Sequence, residues 1–597
     1  MLHREKTGKY DNCIAVGVAI LLSALLMGCA FDFYFDLNDD TMMRDILAGV
    51  YSGVPDGHNM QMLYPLGAFL ALCYGLCRTI PWYGLFLCLC QFGSCYLVGL
   101  RLCALIRTKR GKLLSLLALV LFQWGIWMTH MVNIQYTITC AMLSAAAVFW
   151  FLTTPKDLSI KDFVSKNLPG ILLGILAYQL RTEMLLLMLP FIGFALLVHW
   201  WEEKPFFAIG KVKKYGAVFG LMLLGMVLSQ MMDLAAYGSE EWNDFRLFFD
   251  ARTTIYDFYP EVITQDAYSD DLQALGVSPA QQELLRNYNF GLDEEIDTRM
   301  LTRIADYAVD AVGGAKDWGA IFKEKLFLYR YRTFHAGDAP YNLMVLLGYA
   351  VYIISAVILY KEERQHDARK AAAKLLNSGT GILLLALLRS ALWLFILLRG
   401  RDPERITHSL YLIEFVLLAA MILRQSQESG GRCQARFLRG CITLFLVLAA
   451  GRLAVSLPAV RADQDRRETV NQDWYAIDGY CRAREENFYF EDVYSTVAFS
   501  GKLFAEGDNT RANYDIAGGW MCKSPLYREK LSHYGIGEAD EALAGGDGVY
   551  FIMSDAEERE RGLTWLQDHY AEKGIAVEIL EQDRIGENYR VYRITEE

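Results

Sequence analysis

Long runs of apolar residues, separated by short polar or basic segments, dominate the chain up to about residue 457. Runs of roughly 18 or more apolar residues are typical of transmembrane helices, because about 20 residues span the hydrocarbon core. The shorter apolar segment at about 60–77 predicts a helix on or dipping into the membrane surface. The pattern therefore predicts a polytopic α-helical membrane protein with about eleven spans. These lie at about 13–35, 82–106, 113–130, 134–153, 168–180, 184–200, 215–232, 341–360, 379–398, 406–423 and 440–457.

The positions of basic residues orient these spans, because Lys and Arg concentrate in short cytoplasmic loops. The chain is basic before its first span, so we place the N-terminus in the cytoplasm. The basic cluster at 107–112 is then also cytoplasmic only if segment 60–77 does not cross the membrane. This threading puts a first loop (36–81), a large loop (233–340) and the C-terminal region (458–597) outside the cytoplasm.

From about residue 470 the pattern changes to short apolar runs bounded by Gly, Ser and Asp. Alternation of such strands with a helix is typical of a small α/β domain. The runs predict strands at 488–490, 493–499, 548–553, 575–580 and 589–594, and a helix at 558–573. We therefore divide the chain into a transmembrane module (1–232), a large loop (233–340), further transmembrane helices (341–457) and an extracytoplasmic α/β domain (458–597).

The composition supports a membrane protein and argues against one class of partner. The chain is 54% hydrophobic, and its formal net charge of −11 argues against nucleic acid as a partner. Most of the 13 cysteines lie in apolar runs, where they act as small hydrophobes. Cys481 and Cys522 lie in the C-terminal domain, and the sequence alone does not decide whether they form a disulfide.

Two charged residues lie inside apolar runs of the predicted spans, Arg389 and Glu414. Each lies about nine to ten residues from the turn near 400–405, which corresponds to a depth of roughly 14 Å. Charges within a membrane usually face a partner or a polar cavity. We therefore predict a structural Arg389–Glu414 ion pair.

Three carboxylates follow the first span, in the sequence FDLNDD: Asp36, Asp39 and Asp40. A carboxylate just beyond the end of a span lies at the level of the lipid head groups. There it is placed to act as a general base on a substrate that is anchored in the bilayer. The alternative is a solvated acid beside a helix cap, with Asn38 or Asp39 as the N-cap of a helix starting near Thr41.

Several cations are predicted on the same side of the membrane. Arg181 lies at the turn between two short predicted helices, and Glu183 is placed to orient it or to act as a second acid. A second turn carries Arg399, Arg401, Arg405 and His408, and the forked guanidinium group suits phosphate. His58 and His130 are further candidates. The alternative is that the arginines anchor helix ends and the histidines are packed or solvated.

This organisation resembles that of the GT-C glycosyltransferases. The shared features are a cytoplasmic N-terminus, a first outer loop with carboxylates, and a surface helix that begins Tyr64-Pro65-Leu66. Short paired helices that turn at Arg181 and an outer C-terminal domain complete the resemblance. Within the superfamily the chain is more similar to the protein-mannosyltransferase and aminoarabinose-transferase type. The resemblance covers roughly 1–230, and residues 458–597 add nothing specific to it.

The resemblance implies an enzyme that moves a sugar from a polyprenyl-phosphate donor to a glycan, lipid or protein acceptor. It implies that an Asp of the first outer loop is the base, and the matching residue is Asp39 or Asp40, with Asp39 favoured. Some GT-C enzymes bind a divalent cation, Mg or Mn, through an Asp-x-Asp pattern. The central acids here lack that spacing, so we expect no metal and no other cofactor, with a divalent cation as the alternative.

Rival functions remain open. A transporter or flippase of lipid-linked sugars would explain the charges within the membrane, but transporters often show internal repeats, and none is found here. A glycan polymerase or ligase would use the large loop, and a non-catalytic scaffold would only present the α/β domain. The absence of an organellar targeting sequence favours a bacterial plasma membrane.

Overall fold

A computed structural model describes residues 2–597 except 204, 315–316, 430, 506–509 and 546. The first helices of the described chain are α1 (Leu2–Ala30), α2 (Asn38–Ala48), α3 (Tyr64–Leu76), α4 (Trp82–Leu105), α5 (Lys109–Leu121), α6 (Met128–Val132), α7 (Tyr136–Thr153), α8 (Ile160–Leu180), α9 (Thr182–Trp201) and α10 (Ile209–Ala236). Shorter helices follow: α11 (Glu240–Thr253), α12 (Glu261–Thr264), α13 (Ser269–Ala274), α14 (Pro279–Arg286), α15 (Thr298–Tyr307) and α16 (Trp318–Phe334). We call the part from α11 to α16 the insert.

Four long helices come after the insert: α17 (Tyr341–Arg364), α18 (Ala368–Leu398), α19 (Glu404–Ser429) and α20 (Arg432–Arg482). The C-terminal domain adds α21 (Val493–Thr496), α22 (Pro525–His533), α23 (Ala539–Ala544), α24 (Asp555–Arg561) and α25 (Thr564–Glu572). The strands are β1 (Tyr34–Phe35), β2 (Asn133–Ile134), β3 (Phe488–Glu491), β4 (Tyr514–Ile516), β5 (Val549–Ser554), β6 (Val577–Ile585) and β7 (Tyr589–Glu596).

Within the residues that the structure describes, nine helices are long and apolar enough to cross a membrane: α1, α4, α7, α9, α10 and α17 to α20. Their length and composition indicate a multi-pass helical membrane protein. The predicted spans 113–130 and 168–180 fall on α5 and α8, which are not among these nine. The total of about eleven spans therefore stays a prediction.

The predicted span 113–130 is not one continuous helix. Helix α5 ends at Leu121 and passes into a π-helical turn, Phe122–Ile126, before the short α6. Gly125 in this turn lies against α20, where a Cβ atom would come within 2.1 Å of the Ala449 carbonyl oxygen. The close approach of the two backbones requires glycine at this position.

Helix α7 lies at the centre of the helical body. It packs against α4, α8, α9 and α19. Almost all of its side chains are buried, and small residues of the run Ser144–Ala147 allow neighbouring helices to approach closely. A helix that is apolar on all sides is stable only when it is surrounded by other helices or by lipid.

The predicted charged pair lies in this body. Arg389 Nη1 contacts Glu414 Oε2, and the Glu414 side chain is fully buried. The Tyr349 hydroxyl donates to Glu414 Oε1 at 2.6 Å, and Arg389 Nε donates to the Tyr329 hydroxyl at 3.2 Å. Helix α17, which carries Tyr349, packs against both α18 and α19. The pair therefore connects several helices and has most of its hydrogen-bonding groups satisfied.

The C-terminal domain contains a five-stranded sheet in the order β4-β3-β5-β7-β6. Strands β4, β3 and β5 are parallel, with Phe490 opposite Asp515 and Phe551, whereas β7 runs antiparallel to β5 and β6. Strands are present at the predicted positions 488–490, 548–553, 575–580 and 589–594. The predicted helix at 558–573 is divided into α24 and α25 at Gly562, whose φ is 65°.

The predicted strand 493–499 is wrong, because Val493–Thr496 forms helix α21. Asp492 is the reason: its carboxylate accepts a hydrogen bond from the backbone N–H of Ser495 at 3.0 Å and so caps the helix. The two cysteines of this region, Cys481 and Cys522, are buried free thiols, so the disulfide does not form.

Helix α20 joins the membrane body to this domain without interruption. Its 51 residues correspond to a length of about 75 Å, and the predicted boundary at 457 lies inside it. The insert and the C-terminal domain share one apolar core, in which Phe290 of the insert packs with Phe490 and Met521. Both units therefore cover the same end of the helical body, which we call the loop-side end.

We expect Glu414→Gln to lower the free energy of unfolding by about 3–5 kcal/mol, because it leaves Arg389 as a buried charge without a counterion. Adding Arg389→Met should recover most of this loss, since no buried charge then remains. Thermal unfolding in one detergent would measure both changes. Glu404→Gln, at the exposed start of the same helix, is the matched control. Equal midpoints for the single and double variants would contradict the role of the pair.

Candidate active site at the loop-side end

Helix α2 determines where two acids of the first loop, Asp39 and Asp40, are placed. Helix α2 begins at Asn38, and Leu37 at the N-cap position makes no side-chain cap. The predicted cap by Asn38 or Asp39 is therefore wrong, because the helix starts three residues before Thr41. Asp39 and Asp40 lie in its first turn, where the helix dipole favours carboxylates. Successive residues on a helix point about 100° apart, so the two side chains diverge.

Asp40 points into the protein and is completely buried. Its Oδ1 accepts a hydrogen bond from the Tyr83 hydroxyl at 2.7 Å, and its Oδ2 has no partner among the described residues. Burial, together with the charges of Asp39 and Asp36, raises the pKa of Asp40 well above its usual value, although the Tyr83 hydrogen bond opposes this. Because Asp40 is buried and bonded to Tyr83, it is unsuited to act as an open base.

Asp39 has a different environment, since its side chain is partly exposed. Its carboxylate makes no hydrogen bond and no ion pair with any residue that the structure describes. Its charge acts on the guanidinium groups of Arg181 and Arg252 and on the hydroxyl of Tyr136. Asp39 is thus a carboxylate among cations that is still available to a ligand.

The Asp36 carboxylate forms an ion pair with an arginine of α20. Its Oδ1 lies 2.7 Å from Arg467 Nη2, and the Nε of the same arginine lies 2.7 Å from Asp463 Oδ2. Asp463 also accepts a hydrogen bond from Asn133 at 2.7 Å. Because Arg467 and Asp463 belong to α20, these contacts hold the first loop and β2 against that helix, and Asp36 is not an open acid.

Arg181 lies at the junction of α8 and α9 and faces the first loop. Its Nε is 3.2 Å from Glu183 Oε2, and its Nη1 donates to the side chain of Gln61. Its guanidinium carbon lies 5.2 Å from the centre of the Tyr136 ring. Burial alone would lower the pKa of Arg181, but Tyr136, Glu183 and Asp39 raise it overall. Arg181 is therefore a stable cation, and Glu183, 72% exposed, orients it.

The three arginines of the second predicted turn, Arg399, Arg401 and Arg405, have different surroundings. Arg405 makes no ion pair in the described chain, and its charge acts on the Tyr136 hydroxyl beside Arg181. Arg401 is paired with Asp257 of the insert at 3.2 Å. Arg399 is exposed and lies over the Phe395 ring at 4.7 Å. Arg405 is thus the member of this turn whose charge acts on the tyrosine that Arg181 contacts.

The three candidate histidines do not face the site. His408 is buried, and its Nδ1 lies 2.9 Å from Nε2 of the equally buried His130, so both are packed histidines, as in the alternative interpretation. Apolar helix packing rather than solvent surrounds this pair. His58 binds Asp56 at 2.7 Å and stacks on Trp242 of the insert at 4.7 Å. Burial would lower the pKa of His58, but the hydrogen bond to Asp56 raises it overall.

Three site residues were not predicted from the sequence: Gln61, Tyr136 and Arg252. Tyr136 begins a span, where aromatic residues are enriched at the membrane surface, so its position could have indicated it. Its hydroxyl donates to Gln61 Oε1 at 3.2 Å, which connects it to Arg181. Nothing near Gln61 or Arg252 in the sequence distinguishes them from other polar loop residues.

In the described chain no group of three or more His, Cys, Asp or Glu side chains is arranged to hold a metal ion. Comparison of the chain with protein-family models, with curated proteins and with solved structures gave no match. The feature of this end of the molecule that bears on chemistry is one carboxylate without a partner among the described residues, Asp39, whose charge acts on the guanidinium groups of Arg181 and Arg252.

The raised pKa of Asp40 predicts a pH dependence of stability. Folding raises the pKa of this carboxyl group above its unfolded value near 4. The contribution of the group to stability is therefore fully present below about pH 4 and is lost as the pH rises through the folded pKa. We expect Asp40→Asn to keep the Tyr83 hydrogen bond and to abolish this loss. Its advantage over wild type should grow as the pH rises from about 4 through the folded pKa, by about 1.4 kcal/mol for each unit of the shift. Thermal unfolding across this range checks it, and parallel pH profiles would contradict it.

Proposed function

We propose that the protein is an integral-membrane glycosyltransferase that moves a sugar from a polyprenyl-phosphate donor to an acceptor hydroxyl. The observation that carries the proposal is the state of Asp39, a partly exposed carboxylate without a side-chain partner, just beyond the first candidate span. It lies among arginines, and this combination suits a reaction that needs a base and releases a phosphate.

The donor in this proposal is held by its lipid in the bilayer, which brings its phosphate to the level of the loop-side end. Asp39 accepts the proton of the acceptor hydroxyl, whose oxygen forms a bond to the anomeric carbon of the sugar. The bond between that carbon and the phosphate oxygen breaks, and the polyprenyl phosphate leaves with the electron pair. Arg181 and Arg405 stabilise its negative charge, since guanidinium groups form forked hydrogen bonds to phosphate.

The neighbouring acids have supporting roles. Asp36 holds the loop to α20 through Arg467, and Asp40 anchors α2 to α4 through Tyr83. Glu183 orients Arg181 and remains open enough to contact an acceptor. The proposal places the loop-side end outside the cytoplasm, the N-terminus in the cytoplasm and the protein in a bacterial plasma membrane.

A second candidate uses the same chemistry with a different acceptor. Arg252 belongs to the insert, and a glycan polymerase or ligase would use an arginine-bearing loop of this kind to receive a second lipid-linked glycan. The two functions differ in whether the acceptor itself carries a lipid, and an acceptor panel distinguishes them.

We expect Asp39→Asn to reduce glycosyl transfer about 10²- to 10⁴-fold, because it removes the proton acceptor and keeps the shape of the side chain. Purified protein in nanodiscs would be given radiolabelled polyprenyl-phosphate sugars together with glycan, lipid and peptide acceptors. Asp40→Asn is the matched control, and it should keep most of the activity since Asp40 is buried away from any substrate and its amide oxygen can still accept the Tyr83 hydrogen bond. Transfer that survives Asp39→Asn unchanged would show that the base lies elsewhere.

A further inference from the structure

The C-terminal domain has a crevice of the kind in which α/β domains usually bind ligands. Its parallel strands lie in the order β4-β3-β5. The chain therefore passes from β3 to β4 on one side of β3 and then crosses to β5 on the opposite side of β3. In open α/β sheets, ligands bind outside the carboxyl ends of the strands where the connections diverge in this way. Here that place is the end of β3, at Glu491 and Asp492.

The protein itself fills this crevice with residues 286–293 of the insert, which we call the docking segment. Asn289 Nδ2 donates to Asp492 Oδ1 at 2.7 Å, and the backbone N–H of Val493 donates to Asn289 Oδ1 at 3.1 Å. The backbone N–H of Gly291 donates to the Ala517 carbonyl oxygen at 2.8 Å. The usual ligand position of the domain is thus used to hold the insert.

Tyr288 lies at the centre of the docking segment. It has a φ of 68°, in the left-handed region that residues with a Cβ atom rarely adopt. A Cβ atom at Gly518 would lie only 1.9 Å from the Tyr288 carbonyl oxygen, so the two backbones are in close contact. This conformation costs free energy, which the hydrogen bonds of Asn289 and Gly291 on the C-terminal domain offset.

Arg252 of α11 rests on this tyrosine. Its guanidinium carbon lies 5.2 Å from the centre of the Tyr288 ring and 5.7 Å from that of Tyr256. Its Nε is buried without a partner, and the side chain makes no hydrogen bond or ion pair to any residue described. Burial lowers the pKa of Arg252, and the charges of Asp257 and Asp39 act against this lowering. A partly buried cation whose Nε has no hydrogen-bond partner in the described chain is costly, and its remaining exposure lets an anion reach it from outside.

The position of Arg252 connects it to the site described above. The turn that follows it, Thr254–Phe258, contacts the α18–α19 turn through Arg401, whose Nη2 lies 3.2 Å from Asp257. Arg405 lies directly after the α18–α19 turn, at the start of α19. The charge of Asp39 acts on Arg252 as well as on Arg181. The insert therefore contributes a cation, Arg252, whose following turn contacts the α18–α19 turn and whose guanidinium group is within reach of the charge of Asp39.

We propose that Arg252 binds the phosphate group of the lipid-linked donor, and that Asn289 is a positioning residue that holds it there through Tyr288. The C-terminal domain is then a clamp on the insert. This inference rests on the proposed function for the identity of the donor. The binding of a phosphate-bearing lipid, however, is measured separately from transfer.

The test measures binding of radiolabelled polyprenyl phosphate to the full-length protein in nanodiscs. We expect Arg252→Gln to weaken binding about 10- to 100-fold, because it removes a charge-assisted hydrogen bond to the phosphate. Arg299→Gln removes the same charge from an exposed position of the insert and is the matched control, for which binding should equal that of wild type. Inorganic phosphate, as a second probe, should compete in wild type and lose this effect in Arg252→Gln. Competition by inorganic phosphate that Arg252→Gln leaves intact would overturn the assignment.

The positioning role of Asn289 has its own readout. Asn289→Ala should weaken binding in the wild-type background and add nothing to Arg252→Gln, whereas a merely structural effect would add to it. Arg252→Lys, which keeps the charge, should bind better than Arg252→Gln. Equal binding by wild type, Arg252→Gln and Arg299→Gln would overturn the inference. A transfer assay that fails while binding still depends on Arg252 would instead overturn only the proposed function.

Discussion

The guanidinium group of Arg467 is the contact on which the loop-side end depends. It bridges Asp36 and Asp463, each at 2.7 Å, and its Nη1 donates to the Ser500 hydroxyl at 2.6 Å. One side chain thereby joins the first loop, the long helix α20 and the C-terminal domain. Because the loop is fixed at Asp36, α2 begins at Asn38 and its first turn holds Asp39 at the end of the helical body.

The three carboxylates of the first loop show how burial and pairing give similar residues different properties. Asp36 is paired with an arginine, Asp40 is completely buried with a raised pKa, and Asp39 is partly exposed without a side-chain partner in the part of the chain that the structure describes. If all three were ionised and close together, their repulsion would be large. Pairing of Asp36 and burial of Asp40 leave Asp39 as the acid of this loop that is open to a ligand.

The insert and the C-terminal domain act on this site together. Their common core and the Asn289–Asp492 hydrogen bond make the C-terminal domain a support for the insert rather than an independent binding module. The His58–Trp242 stack adds a second connection, between the first loop and α11. Arg181 and Tyr136 belong to the helical body and Arg252 belongs to the insert, so the proposed site draws on both units.

The sequence by itself determined the features that repeat along the chain or follow from short-range chemistry. Apolar runs indicated the long helices, alternation indicated most strands of the sheet, and depth along two helices was enough to pair Arg389 with Glu414. Only the tertiary structure decided which of the three acids has no partner among the residues described, that His130 and His408 are buried together, and that Arg252 packs on Tyr288. These properties depend on contacts between residues hundreds of positions apart, such as Asp36 with Arg467 and Asn289 with Asp492. Burial and pairing arise only when the chain is folded, and no local pattern records them.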